Sequence, residues 1–150
     1  GKSTAVKLLA GELATQSGIV QVPGDLRISY LPQNVREIGG TVAEYAAARG
    51  AEPALVMAIL NKFNLRSELF SRDVSAYSDG QKKKVALAVS LATPAHLYIW
   101  DEPLNFIDLV SRIQIEDLLL EYRPTMLFIE HDAAFCRRVA TRTVEMFRPQ

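Results

Sequence analysis

The sequence is poor in several things, and each shortage narrows its class. Its one cysteine, Cys136, cannot form an internal disulfide, which fits a reducing compartment. It carries no surplus of either charge: 17 Lys and Arg balance 17 Asp and Glu. That balance argues against a strongly basic nucleic-acid-binding domain, though it leaves room for a local basic patch. No apolar run approaches the length that spans a bilayer, and the first residues do not form a signal-peptide pattern. Repeats, low-complexity tracts and flexible linkers are missing too. What remains is a 150-residue chain, 49% hydrophobic and 23% charged, enough for one domain with one core. The expectation is a soluble, cytoplasmic domain.

The chain also opens on half of a motif. Gly1-Lys2-Ser3-Thr4 matches the end of the phosphate-binding pattern of Gly, four free positions, then Gly-Lys-[Ser/Thr], with nothing before Gly1. Either four residues match by accident, or the chain is cut inside a nucleotide site. Downstream, apolar residues recur at helical spacing from Lys2 to Leu13, and Gly18 ends that region. "GIVQV" and "LRISYLPQ" read as short strands around a Pro-Gly-Asp turn. "TVAEYAAARG" reads as a helix capped by Thr41 and ended by Gly50. "EPALVMAILNKF" is a second helix, with Pro53 in its first turn. "SDGQKKKVALAVSLATP" is a third, capped by Ser78 or Asp79 and stopped before Pro94.

From there apolar runs alternate with helices. "HLYIW" and "TMLFIE" are strands, "VSRIQIEDLLLEY" and "AAFCRRVA" helices, and "RTVEMF" a candidate last strand. Buried strands alternating with helices indicate a parallel α/β sheet, and the strandless stretch from Thr41 to Thr93 indicates a helical insertion. His96 and Trp100 are assigned to packing. "KKK" at 82–84 and "RR" at 137–138 are assigned to solvated helix faces.

In an open α/β sheet, ligands bind at the carboxyl ends of the strands. Both later runs end there in reactive residues: Asp101 and Glu102 after one, His131 and Asp132 after the other. With Lys2 and Ser3 at the same edge, the parts of a nucleotide hydrolase come together. Phosphate needs helix N–H groups, a cation, and a hydroxyl for magnesium. One acid can hold the metal through water, and a second can orient an attacking water. Taken singly, "GKST" can be coincidence, "DE" a solvated strand end, and His131 a loop histidine.

The stretch "YSDGQKKKVALAVSLATPAHLYIWDEPLNFID" resembles the signature motif and Walker B region of ATP-binding-cassette (ABC) ATPases. Tyr77-Ser78-Asp79-Gly80-Gln81 fills the signature, read in that family roughly as Leu-Ser-Gly-Gly-Gln, and Asp101-Glu102-Pro103 fills the Walker B end. Gln33 is similar to the family's Q-loop glutamine, Asp108 to the D-loop aspartate and His131 to the switch histidine. These motifs keep the family's order across nearly the whole chain. The resemblance implies an ABC-type P-loop sheet flanked by helices, with an ATPase core at 1–33 and 94–150 and a helical subdomain at 34–93. It implies that the N-terminal strands are missing, among them a central strand between those ending at Asp101 and His131. It also implies ATP and Mg2+ as ligands, with Gly1, Lys2, Ser3, Thr4 and Asp108 on the nucleotide side and Ser3, Gln33 and Asp101 at the metal. Glu102, Gln33 and His131 are the implied catalytic residues. Ser78, Gly80 and Gln81 would face a nucleotide held by a second ABC domain, in the same chain or a dimer.

Within the family, "DEPLNFID" is similar to the "DEPTNHLD" of ABC-F proteins, keeping Asn105 and Asp108 while departing at Leu104, Phe106 and Ile107. With "YSDGQKKK" and "FIEHDAAFC", the chain most resembles the second nucleotide-binding domain of antibiotic-resistance ABC-F proteins, which act on ribosomes. Glu130 departs from the commoner Ser or Thr before the histidine. Three readings follow: an ABC-F ATPase domain acting on the ribosome without membrane insertion, the ATPase subunit of a membrane transporter, or a non-hydrolysing fragment. The half-loop implies that residues 1–150 alone neither bind ATP tightly nor hydrolyse it.

Overall fold

Three four- or five-residue strands organise the chain in a computed structural model, which describes residues 1–35 and 37–146. Strand β1 (Ile28–Leu31), β2 (Leu97–Asp101) and β3 (Met126–Ile129) form one sheet in that order, and both pairs are parallel. The registers Leu31↔Trp100 and Trp100↔Phe128 bring the carboxyl ends of all three strands to one edge. Period-two alternation then sorts the side chains of β2. Trp100 turns toward helix α4 (Asp79–Ala92), where its indole N–H donates to Ser90 Oγ at 2.9 Å. Asp101 turns the other way, toward α1 (Lys2–Leu9). Phe128, in register with Trp100, meets Phe135 of α6 (Ala133–Val139) edge to face.

Between β1 and β2 the regular elements among the described residues are all helical: α2 (Val42–Ala48), α3 (Pro53–Lys62), two short 3-10 turns and α4. Their starts follow the sequence. Thr41 and Glu44 form a reciprocal capping box on α2, and Ser78 and Gln81 form one on α4. Pro53 occupies the first turn of α3, where its missing N–H costs nothing. Helix α5 (Leu109–Tyr122) starts at the Asp108 cap and ends at Arg123, before Pro124. One buried apolar cluster joins the helical layer to the sheet, from Val42, Leu60 and Phe63 through Leu87 to Trp100, Ile115 and Phe135.

Five expectations need correction. Helix α1 stops at Leu9 rather than Leu13, because Gly11 takes a left-handed conformation (φ 78°) that ends it. "GIVQV" is no strand: Ile19 is 85% exposed, and no neighbouring backbone ladder receives it. Residues 142–146 of "RTVEMF" lack regular structure, and Phe147 lies outside the described residues. No strand separates those ending at Asp101 and His131, since β2 and β3 are directly paired. The lysine run is not a solvated face: Lys83 and Lys84 are 1% and 8% exposed, because α4 is packed between the sheet and α3. Trp100 is fully buried, as assigned. His96 is exposed, and its ring Nδ1 accepts a hydrogen bond from the Arg27 backbone N–H. Arg137 and Arg138 do lie on an exposed face, Arg138 pairing with Glu116 and Asp117.

Candidate functional site

The sheet's carboxyl edge brings together residues that lie far apart in sequence. Gly1 has no side chain to cap α1, so the first N–H groups of that helix stay open. In its first turn the Ser3 hydroxyl donates to Asp101 Oδ1 at 3.2 Å across 98 residues of chain. Asp101 is completely buried, and its second oxygen, Oδ2, has no hydrogen-bond partner among the described residues. The Tyr30 hydroxyl is likewise buried without a partner. Burial, and then the charge of Asp101, push its pKa up. A buried carboxylate oxygen left open beside a serine hydroxyl suits a hard cation such as magnesium, which takes oxygen ligands. Lys2 and Thr4 are exposed beside them.

Glu102 is held from three sides. Gln33 Nε2 donates to Oε2 at 2.8 Å, Asn105 Nδ2 donates to the same oxygen at 2.7 Å, and His131 Nε2 lies 3.4 Å from Oε1. The backbone of Glu102 is left-handed (φ 50°), a conformation that L-residues seldom adopt. It is retained where β2 ends, with the Glu102 N–H bonded to Ile129 O at 2.9 Å. Glu130 ties the same corner together. Its carboxylate accepts from the backbone N–H groups of Leu104, His131 and Asp132, so the acid at this position organises two loops. Gln33 therefore meets Glu102, and no hydrogen bond joins it to Ser3 or Asp101 among the described residues.

Ser78, Gly80 and Gln81 stand apart from this group. The Ser78 and Gln81 hydrogen bonds run to one another, closing the α4 cap, and Ser78 is exposed. Gly80 is required by space: a Cβ there would lie 2.6 Å from the Phe106 carbonyl oxygen. Asp108 caps α5 through Ser111 and accepts from Lys84 at 2.8 Å. Burial would raise the Asp108 pKa, but the hydrogen bonds from Lys84 and Ser111 outweigh it and hold the group well below the usual carboxylate range.

Two contributors escaped the sequence reading. Lys83 sends its ammonium to the carbonyl oxygens of Pro32 (3.4 Å) and Gln33 (3.2 Å). Burial pulls its pKa down to about 8, against the opposing pull of Asp101, Glu102 and Glu130. Arg112 donates to the carbonyls of Ile107 and Leu104 and pairs with Asp132 at 3.1 Å, bracing the segment after Glu102 against the start of α6. Helical periodicity carries the signal for Lys83, four residues before the buried Leu87. A run of three lysines masks it.

The chain is similar to several known proteins. The ATP-binding protein Uup of Caulobacter vibrioides is 31% identical over 155 residues, covering 97% of this chain and 26% of that protein. ABC transporter F family member 5 of Arabidopsis thaliana is 29% identical over 152 residues, covering 97% and 22%. The chain thus spans about a quarter of the length of the curated relatives it matches. Among solved structures, the archaeal ribosome recycling factor aABCE1, in complex with the stalk protein aP1, superimposes with a TM-score of 0.77 at 28% identity. That match covers 93% of this chain and 28% of the other. Residues 1–105, from the open helix start through Asp101, Glu102 and Asn105, match the ABC transporter family, and the chain belongs to it.

Proposed function

We propose that this chain is the ATP-binding and ATP-hydrolysing part of an ABC-F protein that acts on the ribosome, with protection of the ribosome from antibiotics as its physiological role. The observation that carries the ATPase reading is the convergence of Ser3, Asp101, Glu102, Gln33 and His131 on one sheet edge. The F-family and ribosome readings draw support from similarity to ABC transporter F family member 5 and to a ribosome recycling factor.

In this reading the open N–H groups of α1, with Gly1, Lys2 and Thr4, bind the nucleotide phosphates. Magnesium, when bound, neutralises charge on the β- and γ-phosphates. Ser3, Asp101 and Gln33 are the residues that would hold it. Glu102 orients or deprotonates the attacking water, its carboxylate fixed by Gln33 and Asn105 with His131 alongside. Ser78, Gly80 and Gln81 serve the nucleotide of a second ABC domain, and Asp108 belongs to the seam between the two. Residues 1–33 and 94–150 are the ATPase core, and 34–93 the helical subdomain.

In the full-length protein, Glu102→Gln is expected to keep ATP binding while slowing hydrolysis about 10²–10⁴-fold, the usual worth of a positioned acid–base group. The trapped protein should then co-sediment with ribosomes. Wild-type turnover would refute the role of Glu102, and co-sedimentation with membranes instead of ribosomes would favour a transporter subunit. A polypeptide of residues 1–150 offers the phosphates Gly1, Lys2, Ser3, Thr4 and the start of α1. Titration calorimetry with Mg-ATP is expected to show no micromolar binding, and such binding would prove the residues from Gly1 onward sufficient.

A further inference from the structure

We propose that Lys83 is a positioning residue of this site. Its ammonium holds the backbone of Pro32 and Gln33 so that the Gln33 amide meets the Glu102 carboxylate. The proposal deepens the ATPase reading and rests on it.

The geometry comes first. Lys83 is among the largest fully buried side chains of the protein, with 1% exposure. Its Nζ reaches two successive carbonyls of a loop 50 residues earlier in the chain. That loop has no regular structure, and Gln33 itself is exposed, so nothing local fixes the direction of its amide. A lysine anchored on the interior side of the loop does so from α4, the helix that also carries Ser78 and Gly80.

The chemistry comes second. Two carbonyls need donors but do not need a charge, and burying an ammonium is costly unless the charge is compensated. Compensation here comes from Asp101, Glu102 and Glu130, whose charges all favour the protonated lysine. None of them forms an ion pair with it within 4 Å among the described residues. Among the described residues, the hydrogen bonds of Lys83 go to the loop alone. The same helix turn carries Lys84 to Asp108, so neighbouring lysines brace the loop after β1 and the loop before α5 separately.

The test uses the full-length protein and two independent readouts. In the nucleotide-free state, Lys83→Met should shift and broaden the Gln33 side-chain amide signals in NMR spectra, because the backbone that aims this amide at Glu102 loses its hydrogen bonds to a charged group. In steady state, Lys83→Met should lower kcat about tenfold while the KM for Mg-ATP stays within about twofold, the split that marks lost positioning rather than lost binding. Lys83→Arg, which keeps the charge, should recover most of the loss. In a Gln33→Ala background Lys83→Met should cost little more, because both changes release the same amide.

Unchanged Gln33 amide signals, or an equal kcat loss with and without Gln33, would overturn the proposal. If Lys83→Met fails to fold, Lys83→Gln replaces it. That variant is too short to hold both carbonyls, so a shifted Gln33 amide signal with reduced kcat supports the proposal, and wild-type kcat overturns it. Failure of the ATPase reading would show separately, as no ATP turnover in the wild-type protein, and leaves the amide signal still able to judge Lys83.

Discussion

The carboxyl edge of the sheet and the first turn of α4 hold the same kinds of residue in opposite ways. At the sheet edge the hydrogen bonds bridge distant chain: Ser3 to Asp101 across 98 residues, and Gln33 to Glu102 across 69. At the start of α4 they run between Ser78 and Gln81, three residues apart. The first set exists only when the whole sheet is assembled, so the polar groups of the edge are preorganised and turned upon one another. The second set exists as soon as the helix does, and it leaves Ser78 facing outward. One region is closed on itself by tertiary structure, and the other leaves its serine exposed at a helix start.

Three changes would break or sharpen that contrast. The largest effect is expected from Ser78→Arg, which places a bulky cation where an outward-facing contact is needed. Turnover at the partner site should fall about 10²-fold, the scale of removing one preorganised donor. Single-turnover assays on each site would reveal it, and undiminished turnover at both would mean the α4 start serves no partner.

Gly80→Ala comes next. Its methyl would sit 2.6 Å from the Phe106 carbonyl, so either α4 or the loop before Asp108 must move. An overpacking cost of about 1–3 kcal/mol is expected, read by denaturant unfolding, with turnover reduced alongside. Wild-type stability would show that the loop yields freely.

The smallest effect belongs to Asp108→Asn. The Asp108 pKa is lowered in the fold, so its stabilisation is present above the ordinary carboxylate range, about pH 4, and is lost as pH falls through the lowered value. The side chain is 54% exposed, which keeps the effect small. The variant should be less stable than wild type at neutral pH and converge with it in acid, as read by unfolding across that range. A constant difference at every pH would assign the effect to the lost cap alone.

Much of this was legible in the chain. Thr41, Ser78 and Pro53 mark helix starts because capping and proline geometry are local, and β2 and β3 are short apolar runs that end at or just before an acid. The convergence of the site was legible because a parallel sheet places strand ends together. What failed depended on partners. "GIVQV" has strand composition but no ladder to join, and a strand is made by its neighbour as much as by its residues. The adjacency of β2 and β3 is a matter of register, which no motif encodes. Lys83 and Lys84 read from sequence as solvated because charge usually means solvent. Here long apolar stems carry the ammonium groups to acceptors at the rim of the packed layer.

The left-handed turn at Glu102 also bounds how this position can vary over evolutionary time. Backbone at φ 50° accepts glycine, asparagine or aspartate at modest cost, but resists β-branched residues whatever their size. Asp101, one step earlier in extended strand, faces no such restriction and is limited instead by burial. Glycine or a small polar residue at 102 would thus leave the turn in place, whereas valine or isoleucine would disturb the corner that also seats Asn105 and Glu130. The identity of residue 102 and the shape of the corner are therefore coupled.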